Sequence, residues 1–323
     1  MDGRLAGITI SLLLAFHMLG ASARAQDWPQ RPIRLIAPYA AGGNSDGIAR
    51  MTGQRLSDAF GHSVVVENRL GANGAIACEA VARSAPDGYT LLWGATPPLT
   101  INPALTKINY DPAADFAPVG VVASNAFVLV VNKNFPPRTL AQFISHVRAQ
   151  AGRLAYAEGS VGSITHLGMA LFLHRAGLDM TNVSYRGNAP ALTDVVAGHV
   201  PAMLSNISDA MPHAAAGSIR LLAVSSEKRA PQLPDVPTIA ESGFPGFNVL
   251  TWNGVLAPAG TPEEIVNKIA VEITRMVKEP QFLARLEQYG ADPVGNTPEE
   301  FAAMIASETA LWATTVKSLG LKF

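Results

Sequence analysis

The groups in this chain best placed to do chemistry are backbone amides and small polar side chains. In APYAAGGNSDGIARM, residues 37–51, an apolar run, IRLIAPY, stops at Gly42 and Gly43. It then passes Asn44, Ser45 and Asp46 and enters a helical pattern at once. A strand that turns through glycines into a helix leaves several N–H groups free at the positive end of the helix dipole. Such an end binds carboxylate or phosphate without a charged side chain. The glycines permit unusual φ and close ligand approach, while Asn44 and Ser45 supply caps or donors. The stretch is neither a G-x-G-x-x-G fingerprint nor a P-loop, since no Lys follows its last glycine. A purely structural reading competes, in which Gly-Gly makes the turn and Asp46 stabilises the first helical turn.

Three further loops occupy equivalent positions after strand-like runs: GATPP (94–98), EGSVGSITH (158–166) and YRGNAPAL (185–192). Each offers small residues and hydroxyl or amide donors where a helix begins. In open α/β sheets ligands collect beyond the carboxyl ends of the strands, so the four loops are expected to converge on one cleft. Arg186 is either a ligand contact or a solvated surface arginine, and His166 either a helix-start residue or a base. Ser160 or Ser163 with His166 defines an alternative, a secreted serine hydrolase, although G-x-S-x-G itself is absent. The seven histidines are scattered without metal-ligand spacing, so no metal, cofactor or catalytic group is expected. The only cysteine, Cys78, sits in AIACEAVA and reads as a core residue.

The elements that must position these loops follow from periodicity. Residues 32–98 read as strand, helix, strand, helix, strand, with Ile48, Met51, Leu56 and Phe60 forming one helical stripe. Alternation of β and α favours a parallel sheet with covered faces. A second βαβ block contains two β-rich runs at 119–124 and 127–132, a helix from Leu140, and short strands at LAYAE, VSYRG and VPAML. After RLLAVSS the proline-rich stretch RAPQLPDVPTIAESGFPGF reads as a stiff irregular traverse between lobes. Two final helices each open with Thr-Pro-Glu-Glu, at 261–264 and 297–300, which predicts a threonine N-cap for both.

The chain has 323 residues, 48% hydrophobic and 15% charged, with a formal charge of -1. That length supports two cores, and near-neutrality gives no field for nucleic acid or an anionic membrane. Arg4, an apolar run from Leu5 to Gly20 and the ending Ala23-Arg24-Ala25 read as an export signal cleaved after Ala25.

Several stretches together resemble the Bug-type (TctC-like) solute receptors of tripartite tricarboxylate transporters, across nearly all of the mature length. They are WPQRPIRLIAPYAAGGNSDGIAR, VVVENRLGANG, APDGYTLLWG, INPAL, VSYRGNAPALTDVVAGHV, RLLAVSSEKRAPQLPDVPTIAESGFPGF, GVLAPAGTP and PVGNTPEEF. The resemblance implies an α/β, two-lobed periplasmic-binding-protein-like fold (type II), each lobe a mainly parallel sheet flanked by helices, with the ligand cleft between them. Residues 26–125 and 249–323 would form lobe 1 and 126–248 lobe 2. By position, Tyr39, Ala40, Gly43, Asn44 and Asp46 would form a first-lobe carboxylate loop with Thr96 beside it. Ser160, Ser163, Tyr185, Arg186, Gly187 and Asn206 would line the second lobe. The implied receptor is a periplasmic monomer that takes a small organic acid, for integral-membrane transporter subunits or for sensing. Two departures bear on the ligand: Glu158 stands where a small or hydroxylated residue is expected, and Ser205 where many relatives carry an acid. The first would repel an acid if it faced the cleft, and the second removes a partner for an amine.

Overall fold

In the computed structural model, which describes residues 28–150 and 152–320, the expected strand–helix alternation forms close to its predicted limits. The expected export signal, residues 1–25, lies outside the described residues. Strand β1 (Ile33–Ala37) leads into helix α1 (Asn44–Phe60), which stops at Gly61 in the left-handed region, φ 68°. β2 (Val64–Asn68), α2 (Ala75–Ala82) and β3 (Thr90–Ala95) follow. β2 and β3 both pair with β1 in parallel. A helical elbow, Pro97–Ile101 and Asn102–Leu105, then leads toward the second lobe.

The two β-rich runs expected at 119–124 and 127–132 are one continuous strand, β4 (Phe116–Asn132). Ser124 and Asn125 look like a break in the sequence, yet their backbone stays in the ladder opposite Trp252 and Thr251. The second lobe holds α3 (Leu140–Gln150), β5 (Ala155–Glu158), α4 (Ile164–Ala176) and β6 (Thr181–Ser184). α5 (Asn188–Ala197), β7 (Ala202–Asn206), α6 (Ile207–Ala215) and β8 (Ile219–Val224) complete it. After the irregular traverse, β9 (Leu250–Pro258) returns to the first lobe. It is followed by α7 (Glu263–Met276), α8 (Pro280–Gln288), β10 (Ala291–Pro293) and α9 (Pro298–Ser318).

β4 serves both lobes. Its first two-thirds pair antiparallel with β9, and its last six residues pair antiparallel with β7 and β8. Side chains alternate across it: Phe127, Leu129 and Val131 enter a core with α3 and α4, whereas Val128 and Val130 enter the opposite face with α5 and α6. β1 divides in the same way, Leu35 toward α1 and Ile36 toward α2. This period-2 alternation covers both faces of both sheets with helices.

α9 also crosses between lobes. Phe301 and Ile305 lie in a first-lobe core, while Trp312 and Val316 lie in the second-lobe core with Phe127, Phe172 and Phe247. The helix α9 is therefore packed on both clusters. Between these anchors Glu308 accepts a 2.7 Å hydrogen bond from Trp252 Nε1; burial pushes its carboxyl up to about 7, against the bonds from Trp252 and Thr100.

The two Thr-Pro-Glu-Glu stretches differ. Thr297 and Glu300 form the reciprocal capping box at α9. Thr261 instead donates its hydroxyl to the Pro258 carbonyl, and α7 starts at Glu263 without a side-chain cap. The end of β9 competes for that hydroxyl and wins it.

Gly254 lets β9 lie tightly between β4 and α9. A Cβ there would stand 2.9 Å from both the Gly120 carbonyl oxygen and Phe301 Cζ. Gly254→Ala should lower the unfolding free energy by about 1–3 kcal/mol. Urea unfolding measures it, and an unchanged midpoint would contradict so close a crossing.

Candidate functional site

The sequence at residues 40–46 folds as a glycine turn capping α1, with Gly42 at φ 85° and Gly43 extended at the N-cap. Asp46 fixes this turn from beneath. Its carboxylate is buried and accepts from Gly42 N–H at 2.9 Å, Asn68 Nδ2 at 2.7 Å and Arg50 at 2.9 Å. Burial opposes its ionisation, but Arg50, Asn68 and the Gly42 amide outweigh that and hold its pKa below the ordinary carboxylate range. Asp46 thus shapes the loop. Asn44 and Ser45 are also occupied: Asn44 Nδ2 reaches the Tyr289 carbonyl at 2.6 Å, and Ser45 bonds Asn253 on β9. Trp93 Nε1 donates to Ser45 Oγ at 3.0 Å. Gly47 leaves room for the Tyr289 ring, which a Cβ would strike. What stays open is the backbone: no described group accepts the N–H of Gly43, Asn44 or Ser45, and Ala40 to Gly43 are exposed.

The loops of the two lobes meet here. Asn44 Nδ2 also donates to Ser208 Oγ at 3.0 Å, joining the N-terminus of α1 to that of α6. Within the second lobe Gly187, φ 119°, donates its N–H to the Gly159 carbonyl at 2.6 Å and caps α5. Thr165 Oγ1 donates to Asn188 Oδ1 at 3.4 Å. Across the opening, Asn73 Nδ2 donates to the Gly162 carbonyl at 3.3 Å. Helix N-termini α1, α4, α5 and α6 are thereby gathered around one inter-lobe cleft, each a source of positive potential.

Other expected residues take varied places. Thr96 is fully buried, its hydroxyl accepting from Trp252 N–H at 3.1 Å. Ser160 is half-buried, its carbonyl receiving Ser163 N–H, and Arg186 is exposed. Asn206 spends its amide on Asp209 at 3.0 Å. The two tyrosines turn their phenols away: burial beside Cys78 drives the Tyr39 pKa up, and Tyr185 donates to Asp194 at 2.6 Å. Their backbones, not their hydroxyls, border the loops. Cys78 is buried, and burial pushes its pKa up to about 12. Asn73, Asn68, Ser208 and Asn253 were not singled out from the sequence. The signal available was the turn pattern Gly-Ala-Asn-Gly at 71–74.

Glu158 does not face the cleft. It is fully buried on the α4 side of β5, with Oε2 3.3 Å from His166 Nε2 and Oε1 accepting from Asn182 at 3.3 Å. Burial raises its pKa, against the bonds from Asn182 and Ser184. Ser205 is buried too and donates to the Asn206 carbonyl. The hydrolase arrangement fails on geometry. Ser163 Oγ accepts from the His166 backbone N–H at 3.2 Å as a helix cap, while the imidazole Nδ1 is taken by Gly162 N–H at 3.1 Å. The ring is aimed at neither serine's hydroxyl as a base.

Two sheets sharing a central strand, with helix N-termini turned into the cleft between them, define a bilobed solute-binding protein. Residues 48–321 match the model of the tripartite tricarboxylate transporter family receptors (TctC), and the chain belongs to that family of receptors. It is 35% identical to protein BugT of Bordetella pertussis, over 97% of each chain. R. palustris Rpa4515 with adipate superposes with a TM-score of 0.85 at 37% identity, over 91% of this chain and 99% of that one. MatC from Rhodopseudomonas palustris with bound malate gives 0.80 at 34%, over 90% and 100%. These relatives are receptors and not enzymes.

Burial lowers the His166 pKa to about 4 from 6.5. Between those values the unfolded chain binds more protons, so this contribution is complete above about pH 6.5 and is lost as pH falls toward 4. Across that window the wild type should lose on the order of 3 kcal/mol more stability than His166→Gln. Denaturant midpoints at stepped pH measure the difference, and parallel profiles would contradict a neutral buried imidazole.

Proposed function

We propose that this chain captures a small carboxylic acid in the periplasm, between its two lobes, and delivers it to integral-membrane transporter subunits. The observation that carries this reading is the junction of the α1 and α6 N-termini through Asn44 and Ser208, beside first-turn amides that no described group accepts. Peptide dipoles at helix N-termini favour an anion, and side chains spent on holding the turn cannot compete for it. Adipate and malate in the related structures support a carboxylate. One carboxylate would take the amides of Gly43 to Ser45, close to Thr96. The other end of the ligand would meet Ser160, the Gly187 turn and Arg186.

The inward turn of Glu158 and the hydrogen-bonded Ser205 favour a simple acid over an amino acid, since neither offers a carboxylate to an ammonium group. Among the described residues no helix is long and apolar enough to cross a membrane. Export with loss of residues 1–25, and action as a monomer, complete the reading.

Thermal unfolding against adipate, malate and glutamate tests it. The midpoint should rise with concentration for the simple acids and stay put for glutamate; no response to any acid would remove the reading. Ala40→Asp, at an exposed position, should weaken adipate binding about ten-fold or more through like-charge repulsion and leave the unliganded midpoint unchanged. Calorimetric titration measures the change, and wild-type affinity would place the anion elsewhere.

A further inference from the structure

The turn between β2 and α2 is backbone of an uncommon kind. Gly71, Ala72, Asn73 and Gly74 have φ of 123°, 47°, 49° and 91°, four positive values in succession. For Ala72 and Asn73 this is the left-handed region, which costs on the order of 1 kcal/mol per residue for side chains with a Cβ. Strain of this size persists where neighbours over-determine it, and Asn102 does so. Its Nδ2 donates to the Ala72 and Asn73 carbonyls, each at 3.3 Å, and its Oδ1 accepts from Asn73 Nδ2 at 3.0 Å. The second Asn73 amide hydrogen is left to cross the cleft to Gly162.

The receiving side is built with equal care. Gly162 has φ 76°, a conformation strained for residues with a Cβ, and a Cβ there would lie 2.8 Å from Leu105 Cδ1. Its N–H donates to His166 Nδ1 at 3.1 Å. With Nδ1 accepting, the ring proton sits on Nε2, which lies 3.3 Å from Glu158 Oε2. Asn182 holds the other carboxylate oxygen. The chain of contacts runs from a buried carboxylate, through an imidazole of fixed tautomer, to a loop carbonyl that touches the opposite lobe.

We propose that Asn73 and the Gly162 carbonyl are an inter-lobe latch that sets how long a ligand stays enclosed, with Asn102 positioning one half and His166 with Glu158 positioning the other. The proposal rests on the receptor reading of the cleft. Asn73 and His166 are positioning residues: neither needs to touch the ligand, and both act on the equilibrium between open and closed lobes. A contact made only in the closed form slows release and leaves entry unaffected.

Asn73→Gly is the discriminating variant, because glycine accepts the left-handed backbone while the side-chain bonds to Asn102 Oδ1 and to the Gly162 carbonyl are lost. With adipate as the probe, stopped-flow should give a dissociation rate about three- to ten-fold faster and an association rate within about two-fold. A purely structural Asn73 would leave dissociation at the wild-type rate, which would overturn the latch. Asn73→Gly combined with His166→Gln should release adipate no faster than Asn73→Gly alone; additive acceleration would remove His166 from the device. Spin labels at exposed Gln54 and Ala149, one per lobe, read the unliganded protein. Asn73→Gly should enlarge the long-distance population, and identical distributions would refute the latch. Failure of adipate to bind the wild type would refute the carboxylate reading instead, and the spin-label result would still judge the latch.

Discussion

Everything in this molecule hangs on one strand being shared. β4 enters as a first-lobe strand against β9 and leaves as a second-lobe strand against β7 and β8. Because its residues alternate across the sheet plane, it delivers side chains to both cores of the second lobe while remaining fixed in the first. α9 repeats the arrangement in helical form, anchored by Phe301 in one core and Trp312 in another. Where β4, β9 and α9 cross, Asn253 and Trp252 lie in the β4–β9 ladder and Trp252 Nε1 donates to Glu308. Those residues, or their immediate partners, also hold Ser45, Trp93 and Thr96 in place. This crossing and the turn before α1 are thus one hydrogen-bonded unit.

The division of labour at the loops follows from satisfaction of polar groups. Asp46, Asn44 and Ser45 are the conspicuous polar residues of the first turn, and each is consumed in securing it. Backbone amides are then left to face the cleft, a donor set of low charge whose geometry is set in advance. Preorganised dipoles bind an anion without the desolvation penalty of burying an ion pair. In the second lobe the same logic puts Glu158 inward, where a carboxylate bonded to Asn182 beside His166 stiffens the loop without repelling an acid.

The sequence carried the architecture well and the site partially. Strand–glycine–helix junctions at 40–46, 158–166 and 185–192 were visible because local spacing alone dictates them. β4 was not legible as one strand, since Ser124 and Asn125 interrupt the apolar run, and only antiparallel partners reveal that the backbone continues. The role of Asp46 was equally hidden: the choice between ligand contact and buried brace depends on Asn68, 22 positions away. Thr261 shows the converse, a local capping signal overridden by a tertiary acceptor at Pro258. Asn73 escaped notice because its importance lies in a partner 89 residues distant.

The single cysteine has a practical meaning. Cys78 is sealed between α2 and β3, and its thiol stays protonated under ordinary conditions. Against so silent a background, one thiol added at the rim of the cleft would be the sole reactive group for an environment-sensitive dye. The fold thereby lends itself to optical detection of its own ligand, with no native thiol to remove first.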